Sequence, residues 1–146
     1  MSDVENPYAN PVSVAPPLSP AEEKQFAVLT HVLSIFFGVV SAAVFFFVYR
    51  NRGPFIREHT TAEWNFQLTV LIITAIGFVL SFASILVSFG ASAAGDRSGG
   101  AAIGFFFVGY LLILVVRLGA AILGIRASIV ANKGRLYRYP AFPFVR

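Results

Sequence analysis

The chain of 146 residues is 57% hydrophobic and only 12% charged, with eleven lysines and arginines against seven acidic residues and a formal charge of +4. A mean hydropathy of +0.75 and apolar runs longer than eighteen residues exceed what so small a soluble core buries, so the bilayer is the solvent the composition points to. Cysteine is absent, which excludes disulfides, thiolate metal sites, cysteine nucleophiles and S-palmitoylation. The basic residues flank apolar runs instead of striping a soluble face, which points to a lipid bilayer with anionic headgroups as partner and away from nucleic acid.

Residues 1–18, MSDVENPYANPVSVAPPL, hold four prolines and no apolar run the length of a signal-peptide core, and read as a disordered tail. A membrane domain over residues 19–139 follows. Ser19 is placed to cap a helix, with Pro20 suited to the first helical position and Glu22 three residues after the cap. Residues 27–49, AVLTHVLSIFFGVVSAAVFFFVY, carry no formal charge over twenty-three positions and form the first expected span, against roughly 20 residues needed to cross the hydrocarbon. NRGPF breaks it. Pro54 then opens a second helix in which FIREHTTAEWNFQ is an amphipathic lead-in to a second span at residues 66–89. A Gly-rich loop at 90–100 leads to a third span at 101–125, and a basic, aromatic tail follows, with residues 140–146 beyond the reach of helix because of Pro140 and Pro143. The expected fold is all-α: a polytopic membrane protein with three transmembrane helices.

Lysine and arginine counts set the orientation. Arg50, Arg52 and Arg57 with Arg126, Lys133, Arg135, Arg138 and Arg146 make eight on one side, against Lys24 and Arg97 on the other. The expectation is a multi-pass protein of a bacterial cytoplasmic membrane with the N-terminus outside and the C-terminus cytoplasmic.

Polar residues that such a chain tolerates mark its candidate site. His59 and Glu63 are four apart on one helix face, as are Glu63 and Gln67, while Glu58 and Asn65 fall on another row beside Arg57. Trp64 lies where interfacial aromatics collect, so the lead-in reads as a solvated collar in the headgroup layer or, alternatively, as a recognition surface. His59 and Glu63 alone lack a third ligand, so no metal site is expected. Arg117 lies eight residues inside the third span, about 12 Å at 1.5 Å per residue, where an arginine costs on the order of 2.5 to 3.5 kcal/mol. Snorkelling would carry it to the surface, but helical side chains lean toward their own N-terminus, here the deeper direction. The expectation is an inward Arg117 reaching Asn65, Gln67 or Glu63. His31 is the other intramembrane polar residue, and under this topology the two histidines flank opposite faces and form no common site.

Small residues at intervals of four, Ser34, Gly38 and Ala42, Gly77 and Ser81, Gly100 and Gly104, Ala120 and Gly124, permit close helix packing. Packing within the chain is the default, and a homo-oligomer or other membrane proteins are compatible partners. No Asp or Glu lies between Phe66 and Ile125 except the loop residue Asp96, so no intramembrane acid–base pair, cofactor or enzymatic activity is expected.

AVLTHVLSIFFG with His31, then GPFIREHTTAEWNFQLTV, then ANKGRLYRYP together resemble the small three-helix bacterial membrane proteins of the family that includes MamF and MmsF, itself likened to the Tic-twenty component of chloroplast import. The resemblance covers roughly residues 22–140. Its most specific part is Phe55, Arg57, Glu58, His59, Asn65 and Phe66; Thr60, Thr61 and Trp64 depart from its alanine-rich pattern. It implies control of crystal growth for the magnetosome branch and polypeptide movement for the import branch, and no enzymatic activity. The residues favour a non-enzymatic scaffold or subunit of a membrane assembly. The alternative is a transport or translocation component whose polar cavity is lined by residues 57–67 and Arg117.

Overall fold

The structure, a computed structural model, describes residues 15–95 and 99–146. The disordered tail expected over residues 1–18 lies outside the described residues as far as position 14, and beyond it the expectation is corrected. Leu18 is buried, its N–H donates to the Arg52 carbonyl at 2.7 Å, and Arg52 Nε donates to the Pro16 carbonyl at 3.1 Å.

Helix α1, Pro20–Phe37, begins on the expected capping box: the Ser19 hydroxyl accepts from the Glu22 N–H while the Glu22 carboxylate accepts from the Ser19 N–H at 2.8 Å. It stops at Gly38, whose φ of +56° is a conformation open to glycine and costly for residues with a Cβ. The chain reverses there. Helix α2, Val39–Tyr49, runs back along α1, so that Tyr49 stacks on Phe26 with ring centroids 4.5 Å apart. Residues 27–49 are therefore a helical hairpin and not one straight span. Eleven residues of α2 amount to about 16 Å, near half of a ~30 Å hydrocarbon layer.

Gly53 and Pro54 start α3, Pro54–Ala93, an unbroken helix of forty residues, so the lead-in and the second span are one rod. Helix α4, Gly99–Asn132, returns antiparallel to it. The two cross closely where Gly77 meets Gly109. A Cβ on Gly77 would lie 3.0 Å from the Gly109 carbonyl, and one on Gly109 would overlap the Ser81 hydroxyl, which bonds the Phe106 carbonyl at 3.2 Å. Gly124 packs likewise against Ile35 of α1, whereas Gly104 of the expected stripe meets nothing within 4 Å.

Among the described residues, two helices are long and apolar enough to cross a membrane, α3 and α4. The expected three spans become two such helices and a hairpin. Leu18 sits beside Arg52, at the end of the bundle where α3 starts and α4 finishes, so residues 15–19 and the 50–53 turn lie at the same end of the bundle. At that end Leu18, Ala27, Ile56 and Ala131 form the buried cluster, flanked by Phe26, Tyr49 and Phe55. Away from it α3 and α4 show Phe78, Phe82, Phe89, Phe105 and Phe107 outward, a surface made for lipid tails.

Candidate functional site: a buried network joining hairpin, lead-in and tail

The hairpin sets His31 of α1 against the first turns of α3. His31 is fully buried, and His59 and Glu63 are each 1% exposed. His31 Nδ1 lies 2.6 Å from Glu63 Oε2, and its Nε2 lies 2.8 Å from His59 Nδ1. The expectation that the two histidines face opposite membrane surfaces is thus overturned; they touch, because the reversal at Gly38 returns the chain to the end it started from. The solvated collar is corrected as well. His59, Glu63, Asn65 and Gln67 are buried beneath the hairpin and the tail, while Arg57 and Glu58 stay exposed.

The fourth member comes from the tail. The Tyr139 hydroxyl donates to Glu63 Oε2 at 2.6 Å and lies 3.1 Å from His31 Nδ1, while its ring stacks on Phe66 at 4.1 Å and 8°. Burial first, and then the Glu63 carboxylate, hold the Tyr139 hydroxyl far above the usual phenol range, so it stays a donor. Gln67 Nε2 donates to Glu63 Oε1 at 2.8 Å. A carboxylate at Glu63 thereby receives His31 Nδ1–H, Tyr139 O–H and Gln67 N–H. Short charge-assisted bonds of this kind are the strong ones. With His31 donating from Nδ1, its Nε2 accepts from His59 Nδ1–H when both rings are neutral, so the two tautomers are tied together. Chemically the arrangement holds protons in a fixed line and leaves Glu63 saturated from within the chain. Among the described residues no group of three His, Cys, Asp or Glu is arranged to hold a metal ion.

Tail and lead-in are clamped further. Asn65 makes a two-point bond to the Val145 backbone, Nδ2 to the carbonyl at 2.8 Å and Oδ1 from the N–H at 2.9 Å, and Thr69 Oγ1 accepts from the Phe142 N–H at 3.1 Å. Arg117 is exposed on α4 and turns toward the elbow. Its Nη1 is 3.5 Å from where a Cβ on Gly38 would sit, and Gln67 Oε1 is 3.7 Å from the same point. Among the described residues no hydrogen bond or ion pair joins Arg117 to Asn65, Gln67 or Glu63, so the expected inward contact is corrected: the side chain is exposed and shares only the space at Gly38 with Gln67.

Sequence reasoning missed two residues. Glu23 of α1 is buried and its Oε2 accepts from the Ile56 N–H at 2.9 Å, capping α3 from another helix. The capping carboxylate fills the space a Cβ on Gly53 would need. The Gly53–Pro54 start, without a side-chain acceptor of its own, was the one signal for it. Tyr139 carried no signal beyond its place in an aromatic tail.

An all-helical chain with two long apolar helices, wrapped at one end by a hairpin and a tail, is a membrane protein. The chain belongs to the MamF/MmsF magnetosome magnetite crystal formation protein family, whose family model matches residues 22–145. No curated protein and no solved structure matches it.

Proposed function

We propose that this protein is a non-enzymatic scaffold or subunit of a membrane assembly, held in the cytoplasmic membrane of a bacterium. One observation carries the reading: Glu63, the only buried carboxylate of the central network, has both oxygens engaged by His31, Tyr139 and Gln67 of the same chain. Such a network fixes three segments against each other and spares neither oxygen of Glu63 for a substrate. The lipid-facing phenylalanines of α3 and α4 support a role among lipids and other membrane helices. The family's name links its members to magnetite crystal formation in magnetosomes, and a rigid membrane subunit is the form in which this chain would serve such an assembly.

The test is reconstitution into liposomes beside native electrophoresis of membranes from cells that make the protein. The scaffold reading expects proton and cation flux no greater than in empty vesicles and a discrete complex larger than the single chain. Flux that disappears in Glu63→Gln would instead establish a conducting role for the network.

A further inference from the structure

A second polar feature lies outside the network. At the end of the bundle where the hairpin meets α3, a crevice of about 650 Å³ is lined by Arg50, Arg57, Arg146, Asn51, Glu58 and Thr61. Its three arginines come from three segments: the end of α2, the exposed face of α3, and the tail. Arg50 is held in place, its guanidinium carbon 4.2 Å above the Phe46 ring, and its Nε is buried without a hydrogen-bond partner. Among the described residues the one ion pair is His31 with Glu63, so Glu58 comes within 4.0 Å of none of the three guanidinium groups. Three guanidinium side chains line the crevice with one carboxylate side chain, and a positive excess remains when the α-carboxylate of Arg146, the last residue of the chain, is counted as well.

We propose that this crevice binds a phosphate group, presented by the headgroup of an anionic phospholipid. Guanidinium groups offer paired N–H donors that match phosphate oxygens, and several converging on one anion add geometry to charge. Phe46, the ring beneath the lining residue Arg50, packs with Trp64 and Phe47 in an aromatic cluster of the type that settles at headgroup depth. Occupancy is coupled to the tail, because Arg146 is brought to the crevice by the Asn65 clamp on the neighbouring Val145. The inference rests on the membrane reading above only for the source of the phosphate; binding decides this one and ion flux the other.

Trp64, the chain's single tryptophan, stacks on Phe46 at 5.6 Å, the ring beneath Arg50, so its emission reports on the crevice. Purified protein in a neutral detergent is titrated with short-chain phosphatidylglycerol, with matched phosphatidylcholine, and with inorganic phosphate. The expected result is a saturable change with phosphatidylglycerol that weakens about tenfold or more in R50Q/R57Q, a loss of about 1.4 kcal/mol or more. Asn65→Ala weakens it less, and R50K/R57K, which keeps charge without the paired donors, recovers only part of the affinity. Helical circular dichroism and gel-filtration position establish that each variant is folded. Saturation by inorganic phosphate with the same variant order also supports the site and names a soluble phosphate compound as the source. Equal responses to phosphatidylglycerol and phosphatidylcholine, or a glutamine variant that binds as the wild type does, would overturn the proposal.

Discussion

At the scale of single residues, the chain's stability at the hairpin end depends on polar groups that have no water to fall back on. Glu63→Ala leaves the buried donors of His31, Tyr139 and Gln67 without their acceptor, and a cost of about 3–5 kcal/mol is expected for breaking such a buried pair. Glu63→Gln keeps the shape and one acceptor, so about 1–3 kcal/mol is expected; unfolding in detergent checks both, and equal losses would show that the retained amide oxygen recovers nothing and that the charge carries the whole effect. Tyr139 supplies a pH signature. Its folded pKa lies above the ordinary phenol value, so its contribution to stability is whole below about pH 10 and declines as pH rises beyond it. A difference titration of phenolate absorbance between wild type and Tyr139→Phe should accordingly show no ionisation near pH 10; a normal phenolate there would mean the tail is undocked. At Gly53 the constraint is space. Gly53→Ala displaces the Glu23 carboxyl from the start of α3, at about 1 kcal/mol for a lost cap. Glu23→Ala should cost a similar amount, and the double variant little more than either, measured as a double-mutant cycle. His59, Glu63 and Gln67 were legible as a helical row because their spacing is local. Their partners were not, since His31 and Tyr139 reach them only through the reversal at Gly38 and the fold of the tail.

At the scale of elements, the hairpin depends on Gly38. Residues 27–49 have the length and apolarity of a spanning helix, and hydropathy alone reads them so. What divides them is one residue with φ of +56°, packed beneath Arg117 and Gln67. Gly38→Ala places a Cβ in that backbone region, at about 1–3 kcal/mol, and should loosen α2 from α1; unfolding in detergent measures the cost. An undiminished stability would show that the elbow needs no glycine. The continuous rod of α3 was half legible. Pro54 announced its start and the apolar run its body, but the amphipathic pattern of the first turns suggested a helix lying in the interface. Burial of those turns under α1 and the tail keeps them in line with the span instead.

For the whole molecule, hairpin and antiparallel pair together bring the hairpin's start, the 50–53 turn, the start of α3 and the end of α4 to one end. Lys24 then joins the eight basic residues already assigned there, making nine, with Arg97 alone in the sequence between α3 and α4. The positive-inside rule therefore predicts that residues 15–19, the 50–53 turn and the C-terminal tail share the cytoplasmic side. Because the chain has no cysteine, single Ser19→Cys and Asn51→Cys variants can be labelled cleanly with an impermeant maleimide. Both should react in inside-out vesicles and neither in intact spheroplasts; labelling from opposite sides would restore a spanning segment between them. The amino-acid sequence by itself determined the solvent, the all-helical class, the family motif and the basic end, because hydropathy, helical period and charge are properties of short windows. The tertiary structure alone decided that the first apolar run turns back, that two histidines meet, and that the tail closes over a buried glutamate, because each rests on a backbone reversal and on contacts between segments far apart in the chain.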